Sequence, residues 1–144
     1  MANQSSKVEA LRSKIENYLR QKQISYEVRA DGRYAVRQGS TVVLVAPAEW
    51  NEQTIVRVFA PVSLNITRIT PELTLFLVEE NNNLTFGRFS LDTENKIVWF
   101  EHALLGDFMD VEELFIAVAA VAYTADKYDE QVSGMAGGKR AADL

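Results

Sequence analysis

The sequence predicts an α+β fold, with helices packed on an antiparallel sheet of five to six strands. Three observations support this fold class. Apolar residues recur every three or four positions in three segments and every second position in the segments between them, and turn-forming residues separate the alternating segments. The predicted order of elements is α-β-β-β-α-β-β-α. At 144 residues, without internal repeats or a central linker, the chain fits a single domain.

The first predicted elements are a helix over residues 7–22 and a β-hairpin. The helix is indicated by one apolar stripe, formed by Val8, Leu11, Ile15, Tyr18 and Leu19. From residue 24 the apolar period changes to two, and Asp31-Gly32 supplies the positive φ angles of a tight turn. We therefore expect one strand on each side of this dipeptide.

One or two further strands complete the predicted meander. Residues 41–46 form an almost continuous apolar run, which is typical of a strand covered on both faces. Pro47 lacks an N–H group, so we expect the strand to end there or to become an edge. Residues 53–62 are rich in β-branched and aromatic side chains and indicate another strand.

The second predicted helix begins after Thr70, which can cap it, with Pro71 at the first helical position. The asparagines at 81–83 mark its end, because asparagine tolerates the left-handed conformation found at helix C-termini. Two strands follow, over residues 86–91 and 96–103, joined by a polar turn.

The last helix is predicted over residues 111–131, with Asp110 as its cap. Apolar residues cover more than one of its faces, which suggests contact with the sheet and with a second surface. The remaining sequence is rich in glycine and lacks periodicity. The predicted organisation is therefore a single domain over residues 1–133 and a flexible tail over residues 134–144.

Composition narrows the classes of function. The net charge is −5, and it divides into +3 over residues 1–72 and −8 over residues 73–144. A nucleic-acid-binding domain usually has a basic excess, so no nucleic-acid partner is expected. There is no cysteine, and no signal peptide or apolar run of membrane-spanning length is recognisable. We expect a cytoplasmic protein without a membrane partner.

Three groups of residues are candidate sites of chemistry. His102 is the only histidine and follows Trp99 and Phe100, which favours a structural role over catalysis. Asp126, Asp129 and Glu130 share a helical face that could hold a divalent cation, although a solvated acidic face is the simpler interpretation. The cations of the first helix could contact an acidic partner but more simply form solvated surface. The sequence predicts no catalytic, metal-binding or cofactor-binding residue.

The sequence has more apolar residues than one monomer core requires. Helices on one face of a five- or six-stranded sheet leave its other face uncovered unless a partner or a loop covers it. The residues predicted to form a protein-binding or dimer surface are Val43, Val45, Leu73, Phe76 and Leu77.

The order of these elements resembles the type III secretion chaperone-like fold, and in particular the bacterial YbjN-like family. The most specific segment is LFLVEENNNLTFGRFSLDTENKIVWF at residues 75–100, and the last helix, DVEELFIAVAAVAYTADKYDEQ, is also similar. The resemblance covers residues 7–132. It implies a small homodimeric domain that binds other proteins in a chaperone or regulatory role.

We therefore predict a non-enzymatic, protein-binding homodimer that offers apolar surface to an extended client segment, for example by strand addition at a sheet edge. The alternative is a small-ligand sensor or an enzyme with a pocket between the last helix and the sheet, lined by Trp99, Phe115 and Tyr123. The polarity of that pocket distinguishes the two hypotheses, because ligand sites contain a few convergent polar groups.

Overall fold

The computed structural model describes residues 6–144, so the part of the predicted domain at residues 1–5 lies outside the described residues. Its helices and strands are α1 (Ser6–Gln21), β1 (Glu27–Val28), β2 (Tyr34–Gln38), β3 (Thr41–Trp50), β4 (Gln53–Leu64), α2 (Pro71–Asn83), β5 (Arg88–Asp92), β6 (Ile97–Leu105) and α3 (Val111–Ala136). Short 3-10 helices lie at Gly106–Phe108 and Ala141–Asp143. The predicted α+β class is confirmed, with four strands before α2.

The strands form one antiparallel sheet in the order β1-β2-β3-β4-β6-β5. Of the two outcomes expected at Pro47, the structure has the second: β3 continues to Trp50 and becomes an edge of the sheet there. Pairing between β2 and β3 stops at Tyr34 and Val45, while β3 stays paired with β4 beyond that point. The ring of Pro47 therefore interrupts no ladder, since its missing N–H faces the open side of the strand.

The two faces of the sheet differ in what covers them. The helices pack on one face and enclose the main core, which includes Tyr34, Val58 and Phe100 from the strands. Alternate residues of the same strands point to the opposite face, where Leu44 and Phe59 form a smaller cluster with neighbouring strand residues. We call this second surface the helix-free face.

Lysine and arginine side chains fasten α1 to the sheet and to α3. Lys7 donates to the carbonyl of Glu52, Arg12 to that of Gly32 and Lys14 to that of Gly106. Lys22, just after the helix, donates to Glu112. Four of the five cations that could contact an acidic partner thus bind groups of their own chain, and the fifth, Arg20, is exposed.

The helix starts predicted at Thr70 and Asp110 are both present. The Thr70 side chain accepts from the Leu73 amide, and Asp110 forms a reciprocal capping box with Glu113. The end of α3 differs from the expectation, because the helix continues to Ala136 and ends at Gly137, whose φ of 66° suits a C-terminal cap.

Residues 134–144, the predicted tail, therefore begin inside a helix. Beyond it, Leu64 and Lys139 exchange backbone hydrogen bonds of 2.8 Å in both directions. A Cβ atom on Gly138 would lie 2.2 Å from the Ser63 Oγ, so only glycine fits this close approach. The mobility of residues 134–144 in solution stays a prediction.

Candidate functional site

An open apolar cleft of about 270 Å³ lies between β6 and the first turns of α3. One side is closed by Phe86, in the segment between α2 and β5. The lining residues are Phe86, His102, Leu104, Asp110, Glu112, Glu113, Ile116 and Ala117. We call this site the helix-side cleft.

Gly87 explains how the chain places Phe86 in the wall of the cleft. Its φ is 81°, and a Cβ atom there would lie 2.7 Å from both the Glu101 carbonyl oxygen and the Phe100 ring. Only glycine permits this close approach of the backbone. The turn directs the Phe86 ring edge-to-face against the imidazole of His102, with 5.9 Å between ring centroids.

The carboxylates at the mouth of the cleft are already hydrogen-bonded within the chain. The Asp110 side chain accepts from the Glu113 amide at 2.8 Å, and the Glu113 side chain accepts from the Asp110 amide at 3.1 Å. Glu112 accepts from Lys22 at 2.5 Å. These groups therefore give the mouth a negative charge while serving to cap and anchor α3.

His102 contributes an apolar ring rather than a charge to the cleft. Burial lowers the pKa of its imidazole, so the neutral form dominates near neutral pH. None of the residues lining this cleft is a serine, threonine, cysteine or lysine. The site can hold an apolar group, but its lining offers no nucleophile for His102 to activate.

A second apolar hollow, of about 310 Å³, adjoins the cleft at Leu104. It is lined by Trp50, Ile55, Ala103, Leu104 and Leu105. Trp50 and Leu105 are largely exposed, as is Phe108 in the following 3-10 helix. The end of the sheet near β6 therefore presents a continuous set of apolar side chains to solvent.

The residues predicted to form a binding surface mostly lie elsewhere. Val43, Val45, Leu73 and Leu77 are buried in the main core beneath the helices, and Phe76 is half-buried against Tyr128. Their apolar character serves the packing of this chain. The exposed apolar residues of α2 are instead Leu75, 59% exposed, and Val78, 66% exposed.

The pocket predicted for a small ligand is not assembled from the expected residues. Trp99 lies on the helix-free face beside Phe59, whereas Phe115 and Tyr123 are exposed on α3. A cleft between the last helix and the sheet does exist, but Phe86, His102 and Ile116 line it. Trp99 is absent from its lining because its ring points to the opposite side of the sheet from that of Phe100, its neighbour in β6.

The acidic residues near the end of α3 hold a turn in place. Ser40, in the turn between β2 and β3, donates its hydroxyl to both Asp126 and Asp129, and its amide to Asp126 at 3.1 Å. Among residues 6–144, no group of three or more histidine, cysteine or acidic side chains has a geometry suited to a metal ion. These carboxylates act as acceptors for the turn.

Sequence reasoning missed Phe86 and Ile116 as members of a site. The available signal was the apolar excess of α3, since Ile116 falls between the buried residues Leu114 and Ala117 and points outward. The sequence predicts a strand that begins at Phe86, whereas β5 begins at Arg88 and the position of Phe86 depends on the conformation of Gly87.

The structure defines a class of protein in which helices cover one face of an antiparallel sheet and an apolar cleft remains open beside the last helix. A family profile described as "T3SS (YopN, CesT) and YbjN peptide-binding chaperone 1", TY-Chap1, matches residues 8–144. The chain belongs to this family of peptide-binding chaperones, which confirms the resemblance found in the sequence and the chaperone-like, protein-binding role expected from it. No curated protein sequence matches the chain.

Solved structures of secretion chaperones share the fold at low sequence identity. The Yersinia pestis type III secretion chaperone SycH, in complex with a fragment of YscM2, has a TM-score of 0.60 and 18% identity over 81% of this chain and 98% of its own. The HopA1–SchA chaperone–effector complex gives a TM-score of 0.68 at 8% identity, covering 89% and 99%. The ExsC–ExsE complex gives 0.63 at 14%, covering 90% and 97%.

Within the described residues 6–144, none of the helices has the length and apolar character needed to cross a bilayer.

Proposed function

We propose that this protein is a non-enzymatic chaperone that holds an unfolded client segment by taking an apolar side chain into the helix-side cleft. One observation carries the proposal: the cleft is open and apolar, while the carboxylates at its mouth already have partners inside the chain. Such a site gains free energy by removing apolar surface from water, without requiring a fixed set of polar groups on the client.

The charge at the mouth adds a preference among client segments. Asp110, Glu112 and Glu113 lie around an apolar interior, with Lys22 as their nearby counter-ion. A client residue in the cleft is therefore favoured when lysine or arginine flanks it in sequence.

Side-chain insertion suits this structure better than strand addition at β5. The Asn81 side chain accepts from the Phe89 amide at 2.7 Å and donates to the Phe89 carbonyl at 3.2 Å. A client strand would have to displace both bonds to pair with this edge. We accordingly assign recognition to the cleft and not to the β5 edge of the sheet.

The test measures the affinity of the protein for a fluorescently labelled, unfolded peptide in which leucines alternate with lysines. Binding is detected as a rise in the fluorescence anisotropy of the peptide. Replacing Ile116 with Asn removes apolar lining from the cleft and is expected to weaken binding about tenfold. The matched control is Phe108→Asn, which removes an exposed apolar side chain outside the cleft lining. Equal effects of the two variants, or no binding by the unmodified protein, would contradict the proposal.

We also propose that the chain forms a homodimer through the exposed apolar residues of α2. Leu75 and Val78 lie three positions apart and face solvent on the same side of the helix. Covering them with a second copy would remove the largest apolar exposure of this helix from water.

Light scattering tests the dimer. The expected mass is twice the 16.2 kDa of one chain, and it should fall to one chain when Leu75 and Val78 are both changed to Ser. The Ile69→Ser variant, altered at an exposed residue before α2, should keep the mass of the unmodified protein. A monomeric unmodified protein would exclude the dimer.

We place the protein in the cytoplasm as part of the same proposal, and fractionation of the producing cells tests this location.

A further inference from the structure

The helix-free face carries a cluster of arginines around an aromatic centre. Its buried residues, Ala35, Leu44 and Phe59, are packed with Val42, Ala46 and Trp99. Strand alternation places Arg37, Arg57 and Arg88 on the same side of the sheet, and Arg33, just before β2, lies over the Phe59 ring on that side. We call this set of residues the arginine face.

Phe59 is the centre of the arginine face. Its ring meets that of Trp99 edge-to-face at 5.4 Å, and the guanidinium carbons of Arg33 and Arg57 lie 5.2 and 5.4 Å from its centroid. Stacking on an aromatic ring holds a guanidinium in place while leaving its N–H groups free to donate. The centre is therefore a rigid apolar platform with oriented hydrogen-bond donors at its border.

The carboxylates nearby use only part of the donor capacity of these arginines. Glu101 accepts from Arg57 at 2.7 Å and lies 3.6 Å from Arg88, whereas Arg33 meets only the exposed Asp31 at 3.5 Å. Arg37 forms no ion pair with any residue of the described chain, 6–144. Because each guanidinium has five N–H donors, most donors on this face remain available to a ligand.

A hollow of about 270 Å³ gives these donors a place to act. It is lined by Arg33, Arg57, Phe59, Asp92, Asn95, Trp99 and Glu101. The Asp92 carboxylate is occupied, because it accepts from the Asn95 side chain at 2.9 Å and from the Trp99 indole at 3.4 Å. The N–H donors of the arginines are therefore the polar groups of the hollow that can bind an incoming ligand.

We propose that the arginine face is a second client-binding surface, which selects acidic segments that also carry apolar side chains. This inference rests on the proposed chaperone function and adds a second class of segment to it. Client carboxylates bind the arginine donors, and a neighbouring apolar side chain packs on Trp99, the partly buried ring beside Phe59. Nucleic acid is disfavoured here because the whole chain carries a net charge of −5 and lacks the basic excess of nucleic-acid-binding domains.

The fluorescence of Trp99 provides the measurement, after Trp50 has been changed to Phe so that one tryptophan remains. The probes are two unfolded peptides of equal length, one alternating leucine with glutamate and the other leucine with lysine. The glutamate peptide is expected to change Trp99 emission and to bind at this face about tenfold more tightly than the lysine peptide. Its affinity should fall steeply with added salt.

The Arg33→Gln variant is expected to weaken binding of the glutamate peptide about fivefold. Arg20→Gln is the matched control, because it removes the same charge from an exposed position on α1, on the other side of the sheet, and should leave this affinity unchanged. Arg33→Lys keeps the charge without the planar donor group and should restore only part of the affinity. Circular dichroism of each variant confirms that it remains folded.

The two proposals can fail separately. If the lysine peptide binds the helix-side cleft while the glutamate peptide leaves Trp99 unchanged, the chaperone function stands and the arginine face is rejected. If neither peptide binds, both are rejected. Equal losses in Arg33→Gln and Arg20→Gln, or tighter binding of single-stranded oligothymidine than of the glutamate peptide at Trp99, would also overturn the inference.

Discussion

The helix-side cleft and the arginine face lie on opposite sides of one sheet and differ in the charged residues around their apolar centres. The cleft has Asp110, Glu112 and Glu113 around an apolar interior, while the other face has arginines around Phe59 and Trp99. The charge asymmetry of the sequence, +3 before residue 73 and −8 from there on, corresponds to this difference. The first half supplies three of the four arginines, and the second half supplies the carboxylates of the cleft. Similar apolar centres can thus favour different segments of a client through the charges around them.

Strand alternation is what separates the two surfaces. Glu101 and His102 are successive residues of β6, yet Glu101 binds the arginines of one face and His102 lines the cleft on the other. Phe86 and Arg88 are divided between the same two surfaces, with Gly87 between them. A change at this crossing point should therefore affect both regions, whereas changes on either side of it should affect one.

The largest effect is expected at Gly87, which connects the two regions. Gly87→Ala would place a Cβ atom against the Phe100 ring and the Glu101 backbone at a φ of 81°, and should lower the free energy of unfolding by about 3 kcal/mol. Both peptide affinities should fall with it. Urea unfolding and the two peptide titrations measure the outcome.

Gly134→Ala is the matched control for this substitution. Gly134 lies in α3 with nothing within 4 Å of the position of a Cβ atom, so alanine should raise the stability by about 1 kcal/mol through its helix propensity. If Gly87→Ala is as stable as the control, the close approach does not fix Phe86, and the two regions are not coupled there.

The architecture followed from the sequence because its signals are local. Apolar spacing located the three helices, and the caps at Thr70 and Asp110 act within one helical turn. Whether β3 ends at Pro47 or becomes an edge there is decided by a tertiary contact, since Pro47 is tolerated only where β2 has already ended. The end of α3 was missed because Gly137 and Gly138 dock against residues 63–68, which are distant in sequence.

The surfaces were harder to predict than the elements, because apolar character alone does not say which side of an element faces solvent. Val43 and Val45 read as surplus apolar surface, but α1 and α3 cover them. Leu75 and Val78, in the same helix as the buried Leu73 and Leu77, remain exposed. Arg33, Arg57 and Phe59 come from strands brought together by register, so no spacing in the sequence indicates their contact.

A substitution of Glu101 is expected to have a smaller effect, lowering the stability of the fold while strengthening peptide binding. Burial raises the pKa of this carboxyl, but hydrogen bonds from Ser90 and Arg57 outweigh it and the pKa is lowered, so Glu101 is charged near neutral pH. Glu101→Gln leaves Arg57 and Arg88 without their anion and should cost about 1 kcal/mol of stability. The same change frees their donors and should tighten binding of the glutamate peptide.

The matched control is Glu79→Gln, which removes the same charge from an exposed position on α2 and should alter neither quantity. Urea unfolding and Trp99 titrations of the two variants separate a local effect from a change in net charge. Weaker binding of the glutamate peptide by Glu101→Gln would show that Glu101 organises the arginines for the ligand instead of competing with it.

The smallest effect is expected from a change of pH, which should alter peptide binding at the helix-side cleft more than at the arginine face. Burial lowers the pKa of His102, so the folded protein takes up this proton at a lower pH than the unfolded chain does. The contribution of the neutral imidazole to the free energy of unfolding is therefore fully present above about pH 6.5 and is lost as the pH falls below that value, toward the folded pKa.

Protonation of His102 also places a cation in the cleft, where it repels the lysine peptide. Lowering the pH from about 7.5 to about 5.5 should weaken binding of the lysine peptide, while the glutamate peptide should lose less affinity, because its own carboxyls and Glu101, whose pKa is lowered, stay mostly ionised over this range. His102→Gln should abolish the pH dependence of the lysine peptide, and an identical response of both peptides would show that the titrating group belongs to neither region alone.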